Sequence, residues 1–275
     1  MAFLNLESVG AMEENFAREI EAFLSELANA AGAVVLPYFR QALEIEDKGQ
    51  TVFDPVTAAD RATEQILREA IRARYPSHGI SGEEFGIESG SSAYQWVLDP
   101  IDGTRAFMCG VPTWGTLIAL CRDLEPLFGI MSQPFVGERF SGGAGRASWQ
   151  RGGVTQRLIT RSNVELGRAS LFATAPEMFD AAHEWPRFQA LSRAVRMTRY
   201  GIDCYAYCLL AAGHIDLVAE AGLGHYDIAA LIPIVENAGG VVTNWQGEAV
   251  RAGGQVLAAA NPALHAQALA ALQTC

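Results

Sequence analysis

Residues 96–104 read Trp96-Val-Leu-Asp99-Pro-Ile-Asp102-Gly-Thr104, and the prediction of the fold and of its chemistry starts from this stretch. Its first three residues are apolar and suit a buried β-strand, which delivers Asp99 and Asp102 to the carboxyl end of that strand. The proline between the two acids restricts the backbone so that both carboxylates can converge, and Gly103 lets the chain turn away. Two acids beside free backbone N–H groups and the Thr104 hydroxyl are typical of a site that binds a divalent cation and a phosphate together.

The same turn has an ordinary alternative interpretation, because Asp, Gly and Thr are common turn formers. Two further acidic features favour the functional one. Gly82-Glu83-Glu84 lies in a turn just upstream, and Asp227 is predicted to cap a helix that begins at Ile228. Each of these acids could also be purely structural, Glu84 on the surface and Asp227 as a helix cap that contributes about 1 kcal/mol.

The spacing of apolar residues divides the chain into two parts that differ in their predicted order of helices and strands. Apolar residues at three- and four-residue steps predict a long helix from Met12 to about Arg40, which Pro37 bends or ends, and a second helix over 58–75. Short β-rich segments follow as far as about Gly143. Beyond it, strands alternate with helices predicted at 177–195, 204–212, 228–237 and 262–272. We therefore expect an N-terminal α+β subdomain, residues 1–142, with most of the candidate ligands, and a C-terminal α/β subdomain, residues 143–275, with the specificity residues.

Composition excludes several classes of protein. The 275 residues are 50% hydrophobic and 19% charged, which excludes a disordered or fibrous chain. Acidic residues outnumber basic ones by 31 to 20, and the net charge of −11 disfavours general binding to nucleic acid or to an anionic membrane. We expect no secretory signal, because no basic segment precedes an apolar one at the N-terminus. The longest stretch without charged side chains, residues 252–275, is broken by Asn261-Pro262 and is not expected to span a membrane.

The five cysteines show no pairing pattern, which predicts reduced thiols in a cytoplasmic protein. Cys204 and Cys208 are one helical turn apart and could form a metal or redox pair. The simpler interpretation is that both are small apolar residues of a helix that faces the core.

Four motifs together resemble the inositol-monophosphatase family of metal-dependent phosphomonoesterases. These motifs are Asp54-Pro-Val-Thr57-Ala-Ala-Asp60, Gly82-Glu83-Glu84, residues 96–107, and Tyr226-Asp227 with Glu236-Asn-Ala-Gly239-Gly240. Two further stretches, residues 110–119 and 224–236, are most similar to its histidinol-phosphate phosphatase branch. The resemblance implies an α/β (α+β) protein with the layered αβαβα fold of sugar phosphatases, in which helices sandwich two sheets. It also implies a homodimer that acts on a small-molecule phosphate ester.

The resemblance assigns metal ligands residue by residue. Glu83, Asp99 and the carbonyl of Ile101 would bind one Mg²⁺, and Asp99, Asp102 and Asp227 would bind a second. A weaker third ion would lie at the Glu83 position. Inhibition by Li⁺ is a further expectation from the family. With these cations bound, an acidic protein would present a locally cationic pocket to phosphate.

The remaining roles implied by the resemblance concern phosphate and water. Gly103 and Thr104 would hold the phosphate through backbone amides. Asp60 and Thr104 would orient the attacking water, with Glu83 also counted among the catalytic residues. Lys48, the single lysine, falls where the family often has one near the mouth of the site, although it could equally be an ordinary surface residue.

Two acids point to the substrate. Asp203 falls where inositol phosphatases usually have a small residue, and Glu220, seven residues before Asp227, matches a position that touches the substrate. Two carboxylates beside the leaving group suit a cationic amine better than a neutral polyol, which favours L-histidinol phosphate. The alternative for Asp203 is that it merely caps a helix that starts at Cys204. Pro233 has no functional explanation and would be costly inside the helix predicted over 228–237.

Other functions remain possible at this stage. An inositol-1-monophosphatase or a phosphatase of broad specificity would use the same acids. A haloacid-dehalogenase-type phosphatase needs Asp-x-Asp, whereas Asp99 and Asp102 are three residues apart, and Gly142-Gly-Ala-Gly145 is too compact for a dinucleotide-binding turn. A catalytically inactive scaffold should lack a ligand acid, yet none is missing. The five histidines show no metal-ligand spacing. His225, two residues before Asp227, is expected on the surface or behind the metal ligands rather than as a ligand itself.

Overall fold

The computed structural model describes residues 6–41, 45–47 and 55–273, with the backbone alone for 6–12, 45–47 and 55–57. The helices within this part are α1 (Leu6–Val35), α2 (Ala58–Arg74), α3 (Thr104–Met108), α4 (Glu184–Ala194), α5 (Tyr205–Ala211), α6 (His225–Ile228), α7 (Leu231–Asn237) and α8 (Pro262–Leu272). Its strands are β1 (Ile45–Asp47), β2 (Pro55–Thr57), β3 (Gly79–Gly82), β4 (Gly86–Glu88), β5 (Tyr94–Asp102), β6 (Gly115–Arg122), β7 (Glu125–Gln133), β8 (Glu138–Gly143), β9 (Arg146–Arg151), β10 (Val154–Arg157), β11 (Ser170–Ala173), β12 (Met197–Tyr200), β13 (Leu217–Leu223), β14 (Val241–Thr243) and β15 (Gly254–Ala259). Short 3₁₀ turns occur at Leu36–Tyr38, Leu166–Arg168 and Pro176–Met178.

Most strands of the described residues belong to two mixed sheets. The first has eight strands in the order β10-β9-β8-β7-β6-β5-β3-β4, and the second has five in the order β12-β11-β13-β15-β14. The first sheet is antiparallel apart from the parallel pair β3 and β5. In the second sheet β11 runs parallel to both of its neighbours, and the other pairs are antiparallel. Strands β1 and β2 form a separate antiparallel pair.

Helices cover these sheets in three layers, because each sheet must bury its apolar faces. α1 and α2 pack on one face of the eight-stranded sheet, α5, α6 and α7 lie between the two sheets, and α4 and α8 cover the far side of the five-stranded sheet. The residues of the middle layer share one buried core with both sheets. The layered αβαβα arrangement is therefore confirmed.

The long first helix illustrates how sequence periodicity becomes packing. α1 ends at Val35, and Pro37 lies in the 3₁₀ turn that follows, as predicted. By length and composition, residues Glu13–Tyr38 could also cross a membrane, with a mean hydropathy of 1.3. In the fold, Ile20, Leu24 and Leu27 are buried against the eight-stranded sheet, so the apolar face of the helix is accounted for by core packing.

The structure corrects three predictions. The eight-stranded sheet continues past the seam expected near residue 143, and the change to the second sheet falls between Arg157 and Ser170. The helix predicted over 177–195 begins only at Glu184. The helix predicted over 228–237 is two helices, α6 and α7. Pro233 lies in the first turn of α7, where its missing N–H would have no partner within the helix, so the expected cost does not arise.

Candidate active site

The two aspartates of residues 96–104 lie on an irregular part of β5. This strand pairs regularly with β6 as far as Asp99, and its register then shifts between Asp99 and Asp102. In a regular strand, residues three apart point to opposite faces of the sheet. The irregularity removes this alternation, so both side chains can reach the same side. The Thr116 hydroxyl supports the distorted backbone by donating a 2.7 Å hydrogen bond to the carbonyl of Pro100.

Asp227 joins them to form a group of three carboxylates. One oxygen each of Asp99, Asp102 and Asp227 lies within 4.8 Å of the other two. Asp227 is the third residue of α6, and its Oδ2 accepts a 2.6 Å hydrogen bond from the N–H of Gly224. The prediction that Asp227 is the N-cap residue was therefore wrong, although its side chain does reach back to the residue before the helix.

Burial dominates the electrostatics of these acids. It raises the pKa of Asp99 well above the usual range, and the charges of Glu83 and Asp102 raise it further. Burial likewise raises the pKa of Asp102 well above its ordinary value. It raises the pKa of Asp227 to about 6. A bound cation favours the charged form of all three, so it stabilises an arrangement that is otherwise repulsive.

The donor set fits a divalent cation that prefers oxygen ligands. Asp99 is 1% exposed, and its Oδ1 is buried without a hydrogen-bond partner. Within the described residues, no ion pair joins a basic side chain to Asp99, Asp102 or Asp227. A buried carboxylate oxygen with no partner is costly unless something binds it, and Mg²⁺ takes carboxylate oxygens as ligands. The residues present therefore fit Mg²⁺.

Two more acids, Glu83 after β3 and Asp60 in α2, lie near Asp99. Glu83 follows β3, and its N–H donates a 3.2 Å hydrogen bond to the carbonyl of Leu98, next to Asp99. Asp60 is 2% exposed and lies in the first turn of α2. The charges of Glu83 and Asp60 both raise the pKa of Asp99, so both acids lie near it. Glu83 is not one of the three residues whose carboxylate oxygens lie within 4.8 Å of one another.

The turn after β5 holds the residues expected to bind phosphate. Gly103 has φ +80°, which favours glycine, and a Cβ added there would lie 3.0 Å from the side chain of Asp203. α3 begins at Thr104, so its first N–H groups have no partner within the helix. The Thr104 hydroxyl donates a 3.1 Å hydrogen bond to the carbonyl of Ile101. Its oxygen still has lone pairs that can accept a hydrogen bond.

The two predicted specificity residues line the same small cavity as two of the grouped carboxylates. Asp203, Glu220, Asp102 and Asp227 all border a cavity of about 120 Å³. Asp203 has φ +42°, and its carboxylate accepts a 3.2 Å hydrogen bond from the Thr113 hydroxyl. The N–H of Cys204 bonds to Asp102, and no side chain caps α5. The alternative that Asp203 merely caps this helix was therefore wrong.

Glu220 is held in a fixed orientation. It is 2% exposed, its Oε1 accepts a 2.7 Å hydrogen bond from the N–H of Thr174, and its Oε2 accepts a 2.8 Å hydrogen bond from the Tyr207 hydroxyl. Burial raises the pKa of Glu220 to about 7, and the charge of Asp203 acts in the same direction. Tyr207 lies one helical turn after Asp203, but no motif in the sequence marks it as a partner of Glu220.

Other sequence predictions have varied outcomes. Lys48 and Asp54 lie outside the described residues, as does the side chain of Thr57. Cys204 and Cys208 are free thiols in the central core, and burial raises the pKa of both, which agrees with their interpretation as core residues.

The layered two-sheet fold thus brings three carboxylates together at the end of a central strand. The chain belongs to the inositol monophosphatase family, whose family model matches residues 17–275. This confirms the resemblance seen in the four motifs.

Known relatives and structures agree on the class and differ in the substrate they are named for. The bifunctional phosphatase IMPL2, chloroplastic, of Arabidopsis thaliana is 41% identical over 258 residues, which cover 90% of this chain and 73% of that protein. A histidinol-phosphatase of Mycobacterium tuberculosis is 37% identical over 234 residues, which cover 84% of this chain and 89% of that protein. The structure of an inositol monophosphatase from Zymomonas mobilis matches with a TM-score of 0.83 and 39% identity, and covers 93% of this chain and 98% of that one.

Proposed function

We propose that this protein is a Mg²⁺-dependent phosphomonoesterase that hydrolyses L-histidinol phosphate to L-histidinol and phosphate. The observation that carries the proposal is that Asp203 and Glu220 border the same cavity as Asp102 and Asp227. A substrate whose phosphate lies at the metal-binding acids would extend its other end toward these two carboxylates. An ammonium group pairs well with them, whereas a neutral polyol supplies no positive charge beside either carboxylate.

The two specificity residues are arranged for such a contact. The Thr113 hydroxyl orients the Asp203 carboxylate, which lies against the Gly103 turn where we place the phosphate. Glu220 uses one lone pair of each oxygen on the Thr174 N–H and the Tyr207 hydroxyl, and each carboxylate oxygen retains another acceptor site. A cation beside Glu220 would also favour its charged form, which burial disfavours. The name of the relative from Mycobacterium tuberculosis, a histidinol-phosphatase, is consistent with a substrate of this kind.

For the metal ions we keep the assignment that the family suggests. Glu83, Asp99 and the Ile101 carbonyl would hold one Mg²⁺, and Asp99, Asp102 and Asp227 would hold a second. When bound, these ions neutralise the phosphate and bring the pKa of a coordinated water toward neutrality. A third ion near Glu83 and inhibition by Li⁺ belong to the same proposal.

The protein's own groups orient water and substrate. The hydrogen of the Thr104 hydroxyl is used on the Ile101 carbonyl, so the hydroxyl oxygen can accept a hydrogen bond from the attacking water. Asp60, buried beside Asp99, would accept the other water proton. Gly103 and Thr104 would hold the phosphate through backbone N–H groups, so the water attacks phosphorus in line as the bond to the alcohol oxygen breaks. The leaving alcohol oxygen takes up a proton from solvent and Asp60 returns the water proton to solvent, so the products are L-histidinol and phosphate.

One kinetic comparison tests the proposed substrate. We expect kcat/KM for L-histidinol phosphate to exceed that for inositol 1-phosphate by at least tenfold at saturating Mg²⁺, and chelation of the metal to abolish both activities. A higher value for inositol 1-phosphate would instead favour an inositol-1-monophosphatase. Failure to release phosphate from any ester in a broad panel would support an inactive metal-binding scaffold. The expected homodimer can be checked on the same preparation by light scattering.

A further inference from the structure

A stripe of polar residues runs along one side of α2 toward the β3–β4 hairpin. Asp60, Glu64, Arg68 and Arg72 follow one another at four-residue intervals, which places them on the same side of a helix. Glu64 is 0% exposed and Arg68 is 2% exposed. A buried ion pair is expensive to desolvate, so its remaining hydrogen-bonding groups must be satisfied by specific partners.

The partners of Glu64 are the backbone amides of the turn that contains Glu83. Its carboxylate accepts hydrogen bonds from the N–H of Glu84 at 2.7 Å and of Phe85 at 3.2 Å, and from Nε of Arg68 at 2.7 Å. This contact requires glycine at position 82, since an added Cβ would lie 2.0 Å from Oε1 of Glu64. The carboxylate therefore lies directly against the turn.

Arg68 secures the other side of the same hairpin. Its guanidinium donates to the carbonyl of Gly86 and, at 3.4 Å, to the carboxylate of Glu88. β4 is exposed at all three of its residues and lies at the edge of its sheet, so little apolar burial holds it in place. Polar contacts from α2 are what fix this hairpin.

We propose that Glu64 is a positioning residue, which holds the turn after β3 so that the Glu83 carboxylate faces the acidic group around Asp99. This rests on the proposed role of Glu83 in metal binding. The Glu83 backbone is bonded to Leu98, so the turn is fixed between β5 on one side and Glu64 on the other. Residues that orient metal ligands in this way typically change metal affinity by about 10–100-fold when replaced. Because Asp60 lies one turn earlier, the same helix also sets the distance between Asp60 and Glu83.

The test is Mg²⁺ binding measured by calorimetry, without turnover. Glu64→Gln keeps the shape of the side chain but loses one acceptor and the negative charge beside Arg68. We expect the Kd for Mg²⁺ to rise by about 10–100-fold. Glu69→Gln, an exposed change of the same kind on the same helix, is the matched control and should leave the Kd unchanged.

A second variant separates positioning from stability. Glu64→Gln removes the buried charge partner of Arg68, which keeps only the half-exposed Glu88 carboxylate at 3.4 Å, and so can lower the thermal midpoint. Glu64→Gln combined with Arg68→Met removes both buried charges. We expect the double variant to recover much of the thermal midpoint and still bind Mg²⁺ weakly. If a folded double variant binds Mg²⁺ as tightly as wild type, the positioning role is wrong and the proposed function stands. If the wild-type protein itself does not bind Mg²⁺, both proposals fail.

Discussion

The N–H of Cys204 donates a 2.8 Å hydrogen bond to Oδ2 of Asp102. Asp102 ends β5 in the eight-stranded sheet, and Cys204 follows Asp203 just before α5, in the layer between the two sheets. This one bond therefore joins the acidic group to the segment that carries a proposed specificity residue. The two side chains are also linked electrostatically, because burial and nearby acids, Asp203 among them, raise the pKa of Asp102.

The first prediction concerns the acidic group without metal. Asp99→Asn removes a buried carboxylate whose pKa is raised by burial and by the charges of neighbouring acids, so the metal-free protein should become more stable. The same change should abolish Mg²⁺-dependent phosphate release. Urea unfolding in the presence of a chelator measures the stability, and a phosphate-release assay measures the activity.

The matched control for this change is Asp123→Asn, whose side chain is 75% exposed. We expect it to alter neither quantity. A fully active Asp99→Asn enzyme would contradict the assigned site, and a large loss of metal-free stability would show that Asp99 is needed for the fold.

The sequence predicted the layered fold, and its acidic motifs predicted which carboxylates would lie close together. A short strand followed by two acids and a glycine predicted that Asp99 and Asp102 would lie at one strand end, and the resemblance to the family added Asp227 to them. The break between α6 and α7 could not be predicted from the sequence. The apolar spacing runs through both helices, and Pro233 suits the first turn of a helix as well as it disfavours an interior position.

Glu220 gives a prediction of pH-dependent stability. Its pKa is about 7 in the folded protein against an ordinary 4.5, so between these values the folded state holds a proton that the unfolded state has lost. Stability therefore falls as the pH rises through this window, by on the order of 3 kcal/mol. Glu220→Gln does not titrate, so relative to wild type it should gain stability by that amount between pH 4.5 and 8. Urea unfolding in chelator at several pH values measures the difference.

Glu177→Gln, an exposed change in the same half of the chain, serves as the control and should differ from wild type by a constant amount across that range. A pH-independent difference for Glu220→Gln would mean that Glu220 keeps an ordinary pKa in the folded protein.

Long-range contacts explain what the sequence did not show. Tyr207 and Thr174 bond to Glu220, but Thr174 is 46 residues away from it, and no local pattern connects the two. The contacts of Glu64 are easier to anticipate from the sequence. Glu64 lies four residues after Asp60 on the same side of an amphipathic helix, and a buried acid there needs a partner. The eight-stranded sheet passes residue 143 because β9 and β10 continue as a meander, and Gly-rich turns there look the same as a subdomain seam.

Recognition of a cationic leaving group by Asp203 is tested most directly by the specificity of Asp203→Asn. Asn tolerates the positive φ of this position, so the change removes charge and keeps the backbone. We compare kcat/KM for L-histidinol phosphate with kcat/KM for p-nitrophenyl phosphate at saturating Mg²⁺. Loss of a charged hydrogen bond predicts that the ratio of the two falls by about 10–100-fold, with p-nitrophenyl phosphate little affected. An unchanged ratio, or equal losses on both esters, would contradict the proposed recognition.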